Sequence, residues 1–204
     1  MVYDGLYDFD DAIRAELGGA AFCGVDEAGR GPLAGPVCCA AVILRDKSRF
    51  EWLNDSKKTS ALRREKLYDE IIADCIAFEI AFVDNETIDR LNILQATLLG
   101  MSDAIAKLRP APRLALIDGN KTPQSEIECR FVIKGDAKSA SIAAASVLAK
   151  VARDRFMTKL SLKYPMFGFE KHKGYPTKDH YRAIKEYGIT PYHRKSFLRG
   201  IYNE

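Results

Sequence analysis

The chain has 204 residues, 47% of them hydrophobic, 10% aromatic and 29% charged, which excludes a disordered or fibrous protein and leaves room for the core of one compact domain over 1–204. A formal charge of +3 decides little by itself. The start, with Asp4, Asp8, Asp10 and Asp11, fits neither a signal peptide nor a transit peptide, and no later apolar run reaches membrane-spanning length, so a soluble, cytoplasmic protein is expected. Cys23, Cys38, Cys39, Cys75 and Cys129 form no CxxC pair and sit mostly in apolar segments, which reads as buried free thiols rather than zinc or redox chemistry.

The first predicted elements are two buried strands over 21–25 and 36–44, apolar and bounded by glycines, joined by a tight glycine-rich loop from Glu27 to Gly35. After a polar stretch, a helix is predicted over 61–75: Leu62, Leu67, Ile71 and Ile72 share roughly one face and Ser60 offers an N-cap. Residues 77–83 read as a third strand, and 93–108 as a helix with Asn92 as cap and Pro110 beyond its end. A fourth strand over 113–117 stops at Asp118, Gly119 and Asn120, a turn-forming triplet that leaves an acid at the strand's end. A fifth strand spans 129–133, and Asp136 lies between it and a helix over about 138–163. In that helix Ala143, Ala144, Ala145 and Ala149 permit close approach to the sheet, while the later charged half faces solvent. Residues 171–177 read as loop and 178–187 as a last helix, with Thr177 as cap and Gly188 as stop.

Asp26 and Glu27 close the first apolar strand. A buried carboxylate pair repels itself unless protons or cations compensate, and a bound metal resolves that conflict. Standing alone, the pair is better explained as a surface strand end. Asp118 and Asp136, however, fall at further strand ends or strand-to-helix junctions, so one sheet edge can collect four carboxylates. Oxygen-only ligands suit magnesium or manganese rather than zinc. His172, His180 and His193 lack the spacing of a zinc helix and neighbour no acid as a hydrolytic triad requires; each reads as a surface or internally satisfied histidine. Ser56, Ser139, Ser141 and Ser146 lack a nucleophile elbow.

Gly29, Gly31 and Gly35 have the wrong spacing for a dinucleotide fingerprint, Pro32 interrupts any helix beginning there, and no GxxxxGK[ST] loop occurs. Two readings remain: a mere tight turn, or a bare backbone whose amides approach a sugar or phosphate, with Arg30 adding donors. Basic residues dominate from Lys150 onward, as a solvated helical surface or as a face that tracks phosphates.

The segment Gly24-Val-Asp-Glu-Ala-Gly-Arg-Gly-Pro-Leu-Ala-Gly35 resembles the signature opening of type 2 RNase H enzymes (ribonuclease HII). The resemblance continues in order through Asp55-Ser-Lys-Lys58, Ile117-Asp-Gly-Asn120, Lys134-Gly-Asp-Ala-Lys138, Ser141-Ile-Ala-Ala-Ala-Ser146, Lys150-Val-Ala-Arg-Asp154, His172-Lys-Gly-Tyr-Pro-Thr177 and His193-Arg-Lys-Ser-Phe197. It implies an α/β, RNase H-like fold: a central mixed five-stranded sheet flanked by helices, with a helical C-terminal substrate-binding segment at about 164–204. It implies that Asp26, Glu27, Asp118 and Asp136 are the metal-binding catalytic acids, with Mg2+ or Mn2+ as cofactor. It further implies that Gly29, Arg30 and Gly31 contact a ribonucleotide's 2'-hydroxyl and that Tyr175 stacks on the deoxyribose following it at an RNA/DNA junction. Lys57 and Lys58 match a family segment near substrate phosphates, with a solvated loop after Asp55 as the other reading. Asp154 also matches a family position, although a helical acid beside Arg153 and Arg155 is more often a surface ion pair.

The activity so implied is hydrolysis of the phosphodiester bond 5' to a ribonucleotide, in RNA/DNA hybrids and in duplex DNA with embedded ribonucleotides. The products carry a 3'-hydroxyl and a 5'-phosphate, and the expected roles are ribonucleotide excision repair and RNA primer removal. A monomer without an obligate protein partner is expected. Two other readings stand beside this one: a non-catalytic nucleic-acid binder, and a different carboxylate nuclease or phosphatase.

Overall fold

A computed structural model describes residues 4–53 and 60–198. One mixed sheet is built from β1 (Phe22–Ala28), β2 (Val37–Ile43), β3 (Ala77–Val83), β4 (Leu114–Asp118) and β5 (Glu128–Val132), in the order β3-β2-β1-β4-β5. The first three strands pair antiparallel, while β4 lies parallel to β1, and β5 parallel to β4. Helices α1 (Asp4–Glu16), α2 (Ala61–Asp74), α3 (Asn85–Leu91), α4 (Ile93–Lys107), α5 (Ala140–Lys163), α6 (Phe169–His172) and α7 (Lys178–Tyr187) surround it.

Both faces of the sheet centre are covered, which explains why β2, Val-Cys-Cys-Ala-Ala-Val-Ile, shows no polar alternation. Cys39 and Ala41 pack with Val25 and Ile117 against Met101, Ala104 and Ile105 of α4. Cys38, Ala40 and Val42 face the other way, towards Ala144, Val147 and Leu148 of α5. The alanine run of α5 does bring backbone against backbone: a Cβ on Gly24 of β1 would stand 2.1 Å from the Ser141 carbonyl carbon and 2.3 Å from the Ile142 nitrogen. A third apolar cluster ties the C-terminal region to the loop after β1, through Leu33, Ala34, Met157, Phe167, Phe169 and Ile184.

Caps set the helix starts much as the sequence indicates. Ser60 accepts from the Arg63 amide at 3.3 Å, Asn92 from Leu94 and Gln95 at 3.0 and 3.1 Å, and Thr177 from His180 at 3.2 Å. Gly188 follows α7 at φ 75°. The cysteines are free, four of them buried and Cys129 half-buried. Burial pushes the Cys38 thiol up to about 12, a value that keeps it protonated and inert. No helix among the described residues is long and apolar enough to cross a membrane.

Three local expectations need correction. Strand β1 runs on from Val25 to Ala28, because its ladder with β2 continues through Asp26↔Ala40, Glu27↔Cys39 and Ala28↔Cys38. Residues 169–172 form a helical turn at the edge of the segment expected to be loop. The later half of α5 does not simply face solvent: Arg153 is 1% exposed and Met157 is buried. Asp154 does form an ion pair, with Lys150 at 2.8 Å one helical turn earlier, while Arg155 binds Glu65 of α2. Helix α1 inserts Asp10 into the core along with Leu6, Tyr7 and Ile13. That carboxylate accepts from Ser139 Oγ (2.6 Å), Ser141 N (2.8 Å) and Ser141 Oγ (2.7 Å), so it fixes the start of α5.

Candidate active site

The parallel register of β1 and β4, Val25 opposite Ile117, carries Asp26 and Asp118 to the same row of adjacent strands. Asp26 is only 4% exposed. Its Oδ1 accepts from the Glu27 amide at 2.7 Å, and the Ser146 hydroxyl of α5 also bonds its carboxylate. Burial first, and then the charges of Glu27 and Asp118, hold the Asp26 carboxyl well above the usual range in spite of those two bonds. Asp118 Oδ1 accepts from the Gly135 amide at 2.6 Å and lies 3.4 Å from that of Asp136. The 3-10 turn Gly135–Ala137 is thereby stitched to the end of β4, and Asp136 rides on it. A Cβ on Gly135 would come within 2.6 Å of Ile142 Cδ1 and 3.2 Å of Asp118 Oδ1, so the turn packs closely against both.

Glu27 and Asp118 thus both stand in electrostatic range of Asp26, and Asp136 is tied to Asp118 through the backbone. Among the described residues no three His, Cys, Asp or Glu side chains form a ready-made metal cage. The donor chemistry nevertheless fits a hard divalent cation: the groups are all carboxylates, and the excess negative charge that disfavours ionisation of Asp26 is what such an ion relieves.

Beside Glu27 opens a cleft of about 420 Å³ that brings Gly29, Arg30 and Gly31 together with Tyr175. A Cβ on Gly31 would lie 3.8 Å from Tyr175 Cε1, so the loop and the ring share one wall. Arg30 is exposed and reaches Glu27 Oε1 at 3.4 Å. Tyr175 is 41% exposed, which leaves its ring accessible to a sugar or base. Lys57 and Lys58 lie outside the described residues. Three further cleft residues escaped the sequence reading: Arg64 on α2, and Ser146 and Lys150 on α5. The last two were legible only as members of motifs; nothing in their spacing says that α5 passes under the acids. The basic C-terminal stretch also divides, because Arg153 and Arg194 are buried and available to no phosphate.

The Tyr175 loop is held by histidines, and the partners fix every tautomer. His180 Nδ1 donates to the Tyr175 carbonyl at 3.0 Å, so His180 Nε2 accepts, and His193 Nε2 donates to it at 3.1 Å. His193 Nδ1 then accepts from the Thr190 amide at 2.9 Å. A proton added to either ring sets donor against donor. Burial is the main cause that pulls both histidines down from 6.5 to about 4. Below pH 6.5 the unfolded chain therefore binds protons that the folded chain refuses. Stability is expected to fall as pH drops from 6.5 towards 4, by on the order of 2–3 kcal/mol for each ring. Urea midpoints measured across that range check this: His193→Gln should flatten the slope, and an unchanged slope in that variant speaks against the relay.

A family model described as Ribonuclease HII matches residues 23–200. The chain is 54% identical to a ribonuclease HII of Caldicellulosiruptor saccharolyticus over 97% of this chain and 96% of that protein. Among solved structures it is similar to the ribonuclease H2 of Pyrococcus horikoshii, with TM-score 0.75 and 28% identity over 89% of this chain and 96% of that one. It is also similar to the RNase HII of Archaeoglobus fulgidus solved in complex with PCNA, with TM-score 0.74 and 30% identity over 86% and 94% of the two chains.

Proposed function

Because the chain belongs to the ribonuclease HII family and is therefore a divalent-metal-dependent ribonuclease H acting on RNA/DNA hybrids, we propose that it cuts on the 5' side of a ribonucleotide, including one embedded in duplex DNA. The products carry a 3'-hydroxyl and a 5'-phosphate, and the cellular roles are ribonucleotide excision repair and primer removal in the cytoplasm. The observation that carries the reading is the shared cleft: Gly29, Arg30, Gly31 and Tyr175 line one cavity that begins at Glu27, next to Asp26 and Asp118.

In this reading Asp26, Glu27, Asp118 and Asp136 hold the metal, Mg2+ or Mn2+. When bound, the ion activates water and stabilises charge on the phosphate oxygens. The remaining work belongs to the chain. Ser146 and the Glu27 amide orient the Asp26 carboxylate, and the Gly135 amide orients that of Asp118. The glycine loop presents backbone to the ribose, where the 2'-hydroxyl is the one group that distinguishes RNA from DNA. Tyr175 offers a face to the next sugar. Lys57 and Lys58, with Lys150 beside the cleft, serve the phosphates, and the enzyme acts as a monomer.

The deciding assay is cleavage, in magnesium, of a duplex with one embedded ribonucleotide and of its all-DNA counterpart. A single cut 5' to the ribonucleotide with the control intact is expected. A non-catalytic binder leaves both whole, and an unselective carboxylate nuclease cuts both. Tyr175→Ala is expected to lower kcat/KM on the single-ribonucleotide duplex by about tenfold or more, the worth of one lost stacking contact. Unchanged kcat/KM in that variant removes the stacking role.

A further inference from the structure

Arg153 and Arg194 are the largest fully buried side chains described, 1% and 0% exposed, and all their hydrogen bonds described here end on backbone carbonyls. Arg194 donates from Nη2 to Gly29 O (2.6 Å), from Nη1 to Arg30 O (2.9 Å) and from Nε to Gly35 O (3.0 Å). Arg153 donates from Nε to Pro36 O (2.9 Å), from Nη2 to Ala34 O (3.2 Å) and from Nη1 to Lys173 O (3.0 Å), two residues before Tyr175. Burying two guanidinium groups side by side is costly. Burial and then the Arg153 charge draw Arg194 down to about 9. Five of the six bonds of this costly arrangement hold the loop from Gly29 to Pro36, and the sixth ties it to Lys173 in the segment before Tyr175.

The consequence follows from peptide geometry. The bonds joining Gly29 to Arg30 and Arg30 to Gly31 are trans, and in a trans peptide the carbonyl and the amide point in opposite directions. With the carbonyls of Gly29 and Arg30 drawn onto Arg194 in the interior, the amides of Arg30 and Gly31 are turned outward, on the cleft side of the loop. We propose that Arg194 is a positioning residue for ribose recognition: it aims the Arg30 and Gly31 amides at the 2'-hydroxyl, and Arg153 sets the distance from that loop to Tyr175. The proposal rests on the reading of the Gly29 to Gly31 loop given above. A lysine at 194 keeps the charge but offers one nitrogen where three carbonyls need a planar fork.

The test compares Asp26→Asn with Asp26→Asn/Arg194→Lys and Asp26→Asn/Arg194→Gln, binding a duplex with one ribonucleotide and the same duplex as all DNA. The ratio of the two affinities should fall about tenfold in both double variants, the effect of losing one well-aimed hydrogen bond, with all-DNA affinity changed less than about twofold. A purely structural role lowers both affinities together and leaves the ratio intact, which overturns the proposal. Amide resonances of Arg30 and Gly31 in the Asp26→Asn protein give a second readout. They should shift with the ribonucleotide duplex and not with the all-DNA duplex; equal shifts with both overturn the proposal even where neither double variant folds. If Asp26→Asn itself shows no preference for the ribonucleotide, the parent reading of the loop fails rather than the role of Arg194.

Discussion

Asp26→Asn is expected to reduce cleavage by about a thousandfold or more while leaving duplex binding largely intact, because in the proposed reading this carboxylate holds the metal that stabilises charge in the transition state. The same substitution should make the metal-free protein more stable. Asp26 is buried, and burial together with Glu27 and Asp118 holds its carboxyl well above the ordinary range. Between the unfolded and the folded pKa the native state binds the extra proton, so wild-type stability falls as pH rises through that window. Asparagine is neutral, can still accept from the Glu27 amide, and removes that slope. In EDTA at neutral pH the variant should melt about 2–4 °C higher, roughly 1 kcal/mol for a chain of this size. Added Mg2+ should raise the melting temperature of the wild type and not of the variant, because only a folded state that binds the ion is stabilised by it. Turnover near the wild-type rate in saturating Mg2+ would sink the assignment of Asp26 as a metal ligand. Activity and stability moving in opposite directions is the signature of a charged site held in the fold for its chemistry.

The acids were legible because strands ending in carboxylates are conspicuous, and because small residues in α5 and the cap residues Ser60, Asn92 and Thr177 announce their elements. What sequence could not convey is what depends on packing between distant segments. Nothing near Arg194 says that its guanidinium ends on carbonyls 159 to 165 residues earlier, and a count of basic residues places it on a phosphate-binding face that it never reaches. Ser146 sits in an alanine-rich helix with no nucleophile motif around it. Only the approach of that helix to β1 turns its hydroxyl into a partner of Asp26. The sequence leaves each histidine as a surface or an internally satisfied residue; the directed relay from Thr190 to the Tyr175 carbonyl exists only once α7 and the segment after it are folded together. Asp10 is the converse case: in sequence it is one acid among several in an acidic start, and in the fold it alone of them is buried and holds three bonds at the head of α5.

Gly24→Ala should be among the most damaging single-methyl additions this chain can suffer, although Gly24 touches no substrate. Its backbone is ordinary strand, so conformational strain is not the reason. The added Cβ would meet the Ser141 carbonyl carbon at 2.1 Å and the Ile142 nitrogen at 2.3 Å, and these are main-chain atoms of a helix that no rotamer change can move aside. Helix α5 must shift bodily or tilt. It is anchored at its start by Asp10 and packed along the sheet through Ala144, Val147 and Leu148, so either movement opens the core on that face. A loss of about 3 kcal/mol or more is expected, a large part of the margin by which a domain of this size is stable, and it should be visible as a lowered urea midpoint with little change in slope. The folded fraction that remains should also be slow, because the same displacement carries Ser146 away from the Asp26 carboxylate it orients. A variant with wild-type stability and slowed cleavage would mean that α5 yields without penalty and that its distance from β1 matters to the acids alone. A variant with wild-type values for both would show that the close approach of the two backbones is not what seats Asp26.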